Sequence, residues 1–270
     1  MDLPLDIVVR GDVGSNVQAY ARTKITRLAR FVRVPLLHAR VKLLVEPDPA
    51  RDRPALAQAL LDVDGTPVRA HIAAHDLREA SDLLDDRLRD RLEHLSERRQ
   101  ALRKRGPQTR EPHQWRHGDP PTHPPSYFDR PPEDRQVVRR KSFALHALSA
   151  AEAAEEMDRL DYDFHLFTCV DTASACVVAR RPDGRVSIAS TGPLPAPQDW
   201  LVPDPAPPPT LDETQAREHL DVTGDPYLFH RAPTSGAGAV LYRRYDGHYG
   251  LIISTDGALP ARAARTATTP

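Results

Sequence analysis

Apolar and polar positions alternate with period two from Leu3 to Arg10, the pattern of a half-buried strand. The period then lengthens. After a turn and cap at Gly14-Ser15-Asn16, the apolar positions Val17, Tyr20, Ile25, Leu28 and Phe31 share one side of a helix running from about Asn16 to Val32. Ala39–Val45, Ala55–Val63 and Pro67–Ala74 read as strands, with Asp64-Gly65 as the hairpin turn between the last two. Asp76 caps a helix reaching about Arg105, whose apolar stripe is Leu77, Ala80, Leu84, Leu88, Leu92 and Leu95. Residues 1–105 are therefore expected to form one α+β domain of order β-α-β-β-β-α, a four-stranded sheet with two amphipathic helices on one face.

A proline-rich stretch ends this pattern. Gly106–Arg135 holds eight prolines, few aliphatics and the histidines His113, His117 and His123. Proline at this density resists helix and central strand, so residues 106–136 are expected to be an extended, flexible linker with solvated histidines.

Beyond the linker one pattern occurs twice. ValValAlaArgArgProAspGly (Val177–Gly184) recurs as ValLeuTyrArgArgTyrAspGly (Val240–Gly247), an offset of 63 positions, the distance from Arg180 to Arg243. A short strand follows each copy, Ile188–Thr191 and Leu251–Thr255, and a helix with an aromatic strand precedes each, Leu148–Phe167 and Leu211–Phe229. The first repeat, 137–191, reads as a strand (Val137–Leu145), a helix (Ala150–Leu160) and three short strands. A second Pro-rich joint, 192–210, leads to the second repeat, 211–255, and the tail 256–270 is expected to be disordered. The C-terminal part is thus a tandem of two small α+β units that can cover each other's apolar faces within one chain.

The net charge of −1 hides an asymmetry: residues 1–105 hold 20 Lys+Arg against 16 Asp+Glu, and the remainder 17 against 22. A basic part joined to an acidic part suggests a polyanion-binding module and a partner-binding module. The N-terminus has no basic and apolar leader pattern, and no apolar run approaches the roughly 18–20 residues of a membrane span, so a cytoplasmic protein is expected. Cys169 and Cys176 flank a turn, and a disulfide between them is geometrically open; without an export signal, reduced thiols are the expectation.

Between Asp12 and Glu46 stand seven basic residues and no acid, among them Arg22, Lys24, Arg27 and Arg30 on the first helix. On the long helix Arg87, Arg91, His94 and Arg98 recur at i, i+4, i+7 and i+11, and Arg99 follows. If the two ridges meet, they make a groove for phosphates, and Arg22, Lys24, Arg27, Arg30, Arg87, Arg91, Arg98 and Arg99 are the candidate RNA-binding residues. Dipole complementation and pairing with Asp82, Asp85, Asp86 and Asp90 could account for part of the second stripe. Tyr20 and Phe31 read as core, so backbone recognition is favoured over base stacking. No Walker loop, GxGxxG, GxSxG, HExxH or CxxC occurs, so neither enzyme chemistry nor a metal or cofactor is expected. Ser235–Gly238 sits where a hairpin turn belongs, and Glu152, Glu155 and Glu156 read as a solvated helix face.

Five segments carry a family resemblance: AlaTyrAlaArgThrLysIleThrArgLeuAlaArgPhe (Ala19–Phe31), HisAspLeuArgGluAlaSerAspLeuLeuAspAspArgLeu (His75–Leu88), ValValArgArgLysSerPhe (Val137–Phe143), Glu152–Phe167 and ArgArgTyrAspGlyHisTyrGlyLeuIle (Arg243–Ile252). In this order, with a Pro-rich linker between, they resemble the long-form ribosome hibernation promoting factors, also called sigma-54 modulation proteins. The resemblance implies an N-terminal domain that binds the small subunit of the 70S ribosome, on 16S rRNA in the mRNA and tRNA channel, and silences translation. Lys24, Arg27 and Arg87 match the family's basic positions, whereas Arg91, Arg98 and Arg99 come from the stripe alone.

The family's C-terminal domain is single and pairs with that of a second protein to join two ribosomes. Here it is duplicated, as in a variant of actinobacterial dormancy type. The first copy keeps the ArgArgLys strand and the second lacks it. The copies are expected to pair within the chain, a homodimer remaining possible, and 100S ribosome dimers are not expected. The alternatives are a general RNA-binding protein and an adaptor acting through the acidic repeats.

Overall fold

The computed structural model describes residues 3–11, 13–31, 35–47, 52–105, 130–181 and 185–255, with the side chains of all of these except 30, 31 and 98–105. Most of the expected linker, with His113, His117 and His123, and the expected disordered tail lie outside the described residues. The chain divides into two units, and the first includes the short segment Asp158–Tyr162 as well as the N-terminal elements.

The N-terminal elements follow the expected order: β1 (Leu5–Arg10), α1 (Ser15–Phe31), β2 (Leu36–Val45), β3 (Ala55–Val63), β4 (Thr66–Ala74) and α2 (Leu77–Arg105). They make one sheet of order β1-β2-β3-β4, in which β1 runs parallel to β2 and the other pairs are antiparallel. A parallel pair needs a crossover, and α1 supplies it. The β3–β4 hairpin turns at Asp64 (φ 54) and Gly65 (φ 78), the two positive φ values of a turn that matches the strands' twist. Asp76 caps α2, its Oδ1 accepting from the backbone N–H groups of Arg78 at 2.7 Å and Glu79 at 2.9 Å.

Strand alternation sends Val41 and Leu43 of β2, Ala57, Ala59 and Leu61 of β3, and Val68 and Ile72 of β4 under the helices. Ile25 and Leu28 of α1 and Leu84, Leu88 and Leu92 of α2 close the core over them. The alanines on β3 let the helices approach the sheet closely. By the same alternation Arg40, Lys42, Gln58, Leu60 and Arg69 lie on the opposite face.

The C-terminal unit holds two copies of one arrangement. The first has β5 (Val137–Phe143), β6 (Ala147–Leu148), α3 (Ala150–Arg159), β7 (Phe164–Cys169), β8 (Ala175–Arg180) and β9 (Val186–Ser190). The second has β10 (Leu201–Pro203), α4 (Glu213–Thr223), β11 (Tyr227–Arg231), β12 (Gly238–Arg243) and β13 (Tyr249–Ser254). Each helix opens on a capping box, Ser149 with Glu152 and Asp212 with Gln215. The stretch 192–210, read as a joint, contains β10, the counterpart of the strand that the second copy was expected to lack. Its short length and its terminal Pro203 hid it from the pattern.

The copies exchange their first strands. β5 pairs parallel with β13 of the second copy, and β10 pairs parallel with β9 of the first, giving sheets of order β11-β12-β13-β5 and β10-β9-β8-β7-β6. Arg139 and Arg140 lie opposite Gly250 and Leu251, while Val202 and Pro203 lie opposite Ser187 and Ile188. Every one of these partners is related to its counterpart by the same 63-residue offset that relates Arg180 to Arg243. The first copy therefore does not keep its own leading strand, as its linear pattern suggested.

Each sheet has its helix on the outer face: Ala153 and Met157 of α3 pack on Phe167, Val178 and Ile188, and Ala216 and Leu220 of α4 on Leu241, Tyr249 and Leu251. The inner faces meet in a third core of Leu166, Val177, Phe229 and Val240, with Leu145 beside them. No helix among the described residues is long and apolar enough to cross a membrane.

Candidate nucleic-acid interface

α1 and α2 lie side by side on the first sheet, and their contact is where the predicted basic groove was expected. Lys24 Nζ there sits 2.8 Å from Asp82 Oδ1 and 3.7 Å from Asp85 Oδ2. The hydrogen bond to Asp82 holds the Lys24 ammonium above its usual range against the effect of burial. Burial works to raise the Asp82 carboxyl, but hydrogen bonds from Lys24 and Tyr20 outweigh it and hold the group low. Asp85 is buried and also takes Arg89 at 3.1 Å. The seam between the helices is thus a neutralised network.

Tyr20 belongs to this seam. Expected in the core, it is only half-buried; its hydroxyl donates to Asp82 Oδ1 at 2.5 Å, and the Arg78 guanidinium lies 4.7 Å from its ring centroid. The signal for this was available in the placement of Tyr20 four residues before Lys24, on the same helical flank.

The α2 stripe faces elsewhere. At about 100° per residue, Arg87 and Arg91 stand roughly 140° and 180° round the helix from Asp82, on the flank away from α1. The structure does not bring the two basic ridges into one groove. Both arginines reach Asp161 of the segment Asp158–Tyr162, Arg87 at 3.6 Å and Arg91 more closely, and their side chains are each 8 % exposed. Asp161 also accepts from the backbone N–H of His71 at 2.9 Å and faces its Nδ1 at 3.0 Å. Burial favours the neutral acid, but His71, Arg91 and Arg87 together keep the Asp161 carboxyl well below the usual carboxylate range.

Arg22 and Arg27 are exposed on α1, and among the described residues neither makes an ion pair. The side chains of Arg30, Arg98 and Arg99 lie outside the described residues. Of the eight candidates, Arg22 and Arg27 are therefore the described ones whose charge is available to a ligand, while Lys24, Arg87 and Arg91 are held by carboxylates.

In the C-terminal unit the candidates for other chemistry take structural places. Cys169 and Cys176 are free and buried, and burial pushes the Cys176 thiol up to about 11, far from a reactive thiolate. Ser235–Gly238 closes the β11–β12 hairpin, with Ala232 N–H donating to the Ala237 carbonyl at 2.9 Å. Glu152 accepts from the Ser149 N–H at 2.9 Å at the start of α3.

Comparison with known proteins places these features in a wider set. Residues 7–100 match the family described as sigma 54 modulation protein / S30EA ribosomal protein, and residues 132–188 match the C-terminus of the same family. The chain is 32 % identical over 225 residues to the dormancy associated translation inhibitor of Mycobacterium tuberculosis, an alignment covering 76 % of this chain and 72 % of that protein. It is 27 % identical over 190 residues to the ribosome hibernation promotion factor of Lactococcus lactis, covering 68 % of this chain and 97 % of that protein. Among solved structures, the N-terminal domain of Protein Y from Thermus thermophilus matches 34 % of this chain and 99 % of its own length at 23 % identity, with a TM-score of 0.29.

Proposed function

The chain belongs to the sigma 54 modulation/S30EA ribosomal protein family, and on that premise we propose that it is a ribosome hibernation factor that acts as a translation inhibitor. In this reading the N-terminal domain docks on 16S rRNA of the small subunit, in the channel used by mRNA and tRNA. It excludes both and keeps 70S particles intact and idle. Arg22 and Arg27 supply charge-assisted contacts to phosphates from the first helix. Lys24, Arg87 and Arg91 contribute only by exchanging a carboxylate partner for a phosphate. The observation that carries the reading is the order of the two family matches along a chain whose relatives are named for hibernation and translation inhibition.

The same reading leaves ribosomes unpaired. An isologous dimer presents one patch twice, once from each chain. Here the second presentation comes from the same chain, because each repeat completes the other's sheet and the inner faces are closed against each other. A second chain is not needed to bury these faces.

Sedimentation of 70S ribosomes with the protein on a sucrose gradient tests both parts. Protein in the 70S peak without a 100S peak is the expected result. A 100S peak would overturn the second part only. Protein remaining at the top at low and moderate salt would overturn the ribosome reading and favour an adaptor acting through the repeats.

A further inference from the structure

Among the described residues the sheet of the first unit carries helices on one face only, and the other face is met by Asp158–Tyr162 at β4, where Arg69 lies 5.7 Å from the Tyr162 ring and His71 faces Asp161. On its other face, strand alternation and register set Arg10 of β1 beside Leu44, and Arg40 and Lys42 of β2 opposite Leu60 and Gln58 of β3. Arg10 and Arg40 are exposed and Lys42 is partly so. Among the described residues none of the three makes an ion pair or a side-chain hydrogen bond. The acid in register with Arg40 is Asp6, which lies 3.3 Å from His38.

Three cations without an ion-pair partner on two adjacent strands repel one another, and the carboxylate in register, Asp6, is turned to His38. Arg40 and Lys42 are about 6.6–6.8 Å apart along the strand, and Arg10, in register with Leu44 on the neighbouring strand, is a diagonal neighbour of Lys42 at about 7–8 Å. The charges therefore cross the sheet obliquely as a row. Beside them are the aliphatic side chains Val8, Leu44 and Leu60, the last 41 % exposed. With aliphatic rather than aromatic neighbours, such a row fits a sugar-phosphate backbone better than stacked bases. Arg22 extends it: about 160° round α1 from Lys24, it points away from α2, on the side where α1 covers β1 and β2. The unpaired cations thus wrap the β1 edge of the domain, while the paired ones, Lys24, Arg87 and Arg91, lie toward α2 and its far flank.

We propose that the helix-free face of the first sheet on its β1–β2 side, through Arg10, Arg40 and Lys42, is an RNA-backbone contact surface continuous with Arg22 round the β1 edge. This inference rests on the ribosome-binding reading and gives it a second face of the domain, opposite the helices.

The test is equilibrium binding of the full-length protein to 30S subunits across a salt series, with the variant Arg10→Gln/Arg40→Gln/Lys42→Gln. Its affinity is expected to fall at least tenfold. The slope of log affinity against log salt is expected to shrink by about 2, three phosphates at roughly 0.7 each. An unchanged thermal melt checks the fold; if the triple variant melts early, Arg40→Gln alone is expected to take about 0.7 from the slope. A photo-crosslinking residue at Gln58, across from Lys42, is expected to label 16S rRNA. Wild-type affinity and slope in a folded variant overturn the inference, as does crosslinking to ribosomal protein alone, which would mean an acidic protein partner. Failure of the wild-type protein to bind 30S subunits overturns the ribosome reading itself, a separate outcome.

Discussion

Phe164 and Tyr227 hold the same position in the two repeats, and their rings meet across the sandwich at 4.8 Å between centroids, tilted by 31°. A residue that touches its own counterpart lies on a two-fold axis, so the tandem has an internal pseudo-two-fold passing between these rings. The inner core obeys it. Leu166 is related to Phe229, and Val177 to Val240, by the same offset of 63 that relates Arg180 to Arg243, and all four pack together. The strand exchange obeys it too, since both parallel pairings have the same register once the offset is applied.

The axis makes the two rings energetically dependent on each other. Phe164→Ala and Tyr227→Ala should each destabilise the tandem, by about 2–3 kcal/mol, less than a full core truncation because both residues are only partly buried. The double variant should lose about 0.5–1.5 kcal/mol less than the sum, the coupling of an aromatic pair. Urea unfolding of the four members of the cycle measures this. Strict additivity would mean that the rings do not stabilise each other.

Gly238 and Ala175 are a second pair of counterparts in contact. A Cβ built on Gly238 would stand 2.7 Å from the Cβ of Ala175 and 3.2 Å from Cε2 of Phe229. Two alanines cannot face each other here, which explains why the repeats differ at this position. Gly238→Ala should destabilise the tandem by about 1–3 kcal/mol, the cost of overpacking, and Ala175→Gly in the same chain should restore part of it. Thermal melts of the single and double variants provide the check.

Because both exchanged strands come from one chain, unfolding should not depend on protein concentration. The full-length protein should run as a single 30.1 kDa species in light scattering, with one melting midpoint over a hundredfold range of concentration. A midpoint that rises with concentration would show that strands are exchanged between chains instead.

Much of this was legible in the chain. The N-terminal domain could be read because each of its elements has its own signal: alternation in β1, a three-to-four spacing in α2, Asp64-Gly65 at the hairpin. The repeat was legible from the ArgArg pairs. Strand exchange was not, because Val137–Phe143 carries no mark of which β-strand it will join; six of its seven residues are exposed, so no apolar face points to a partner. The basic groove failed for a related reason. Helical spacing placed Arg87 and Arg91 on one stripe, but only the packed pair of helices decides which flank faces α1, and Asp82 and Asp85 took that place. Arg40 and Lys42 belong to the acid-free run between Asp12 and Glu46, yet their position on the helix-free sheet face depends on which strand face the helices choose.

The seam between the helices gives a ranking within the candidate site. Lys24→Ala removes a charge already committed to Asp82 and Asp85, so it should change 30S affinity little, less than threefold. Arg22→Ala/Arg27→Ala removes two uncommitted charges and should reduce the salt slope by about 1.4, with a clear loss of affinity. Titration of both variants against 30S subunits at three salt concentrations checks the order. A larger effect for Lys24→Ala would mean that the ion pair opens on binding and the lysine turns to RNA.

His230 introduces a dependence on pH at a position where the first repeat has no titratable group. It is 3 % exposed, its Nδ1 lies 3.1 Å from the Leu211 carbonyl, and its Nε2 is buried with no hydrogen-bond partner. Its counterpart in the first repeat is Phe167, fully buried in the equivalent core. Burial pushes the imidazole below its ordinary value, more than the carbonyl and neighbouring backbone raise it. A folded-state value below the unfolded one, near 6.5, means that the unfolded chain binds the proton more tightly. The neutral ring's contribution is therefore complete above about pH 6.5 and is lost as the pH falls below it. The melting temperature of the wild-type protein should drop between pH 7.5 and pH 5 by more than that of His230→Phe, whose ring copies the first repeat and cannot titrate. Calorimetry at both pH values measures the two differences. Parallel curves would mean that the acid sensitivity comes from carboxylates elsewhere and that the buried histidine stays neutral throughout.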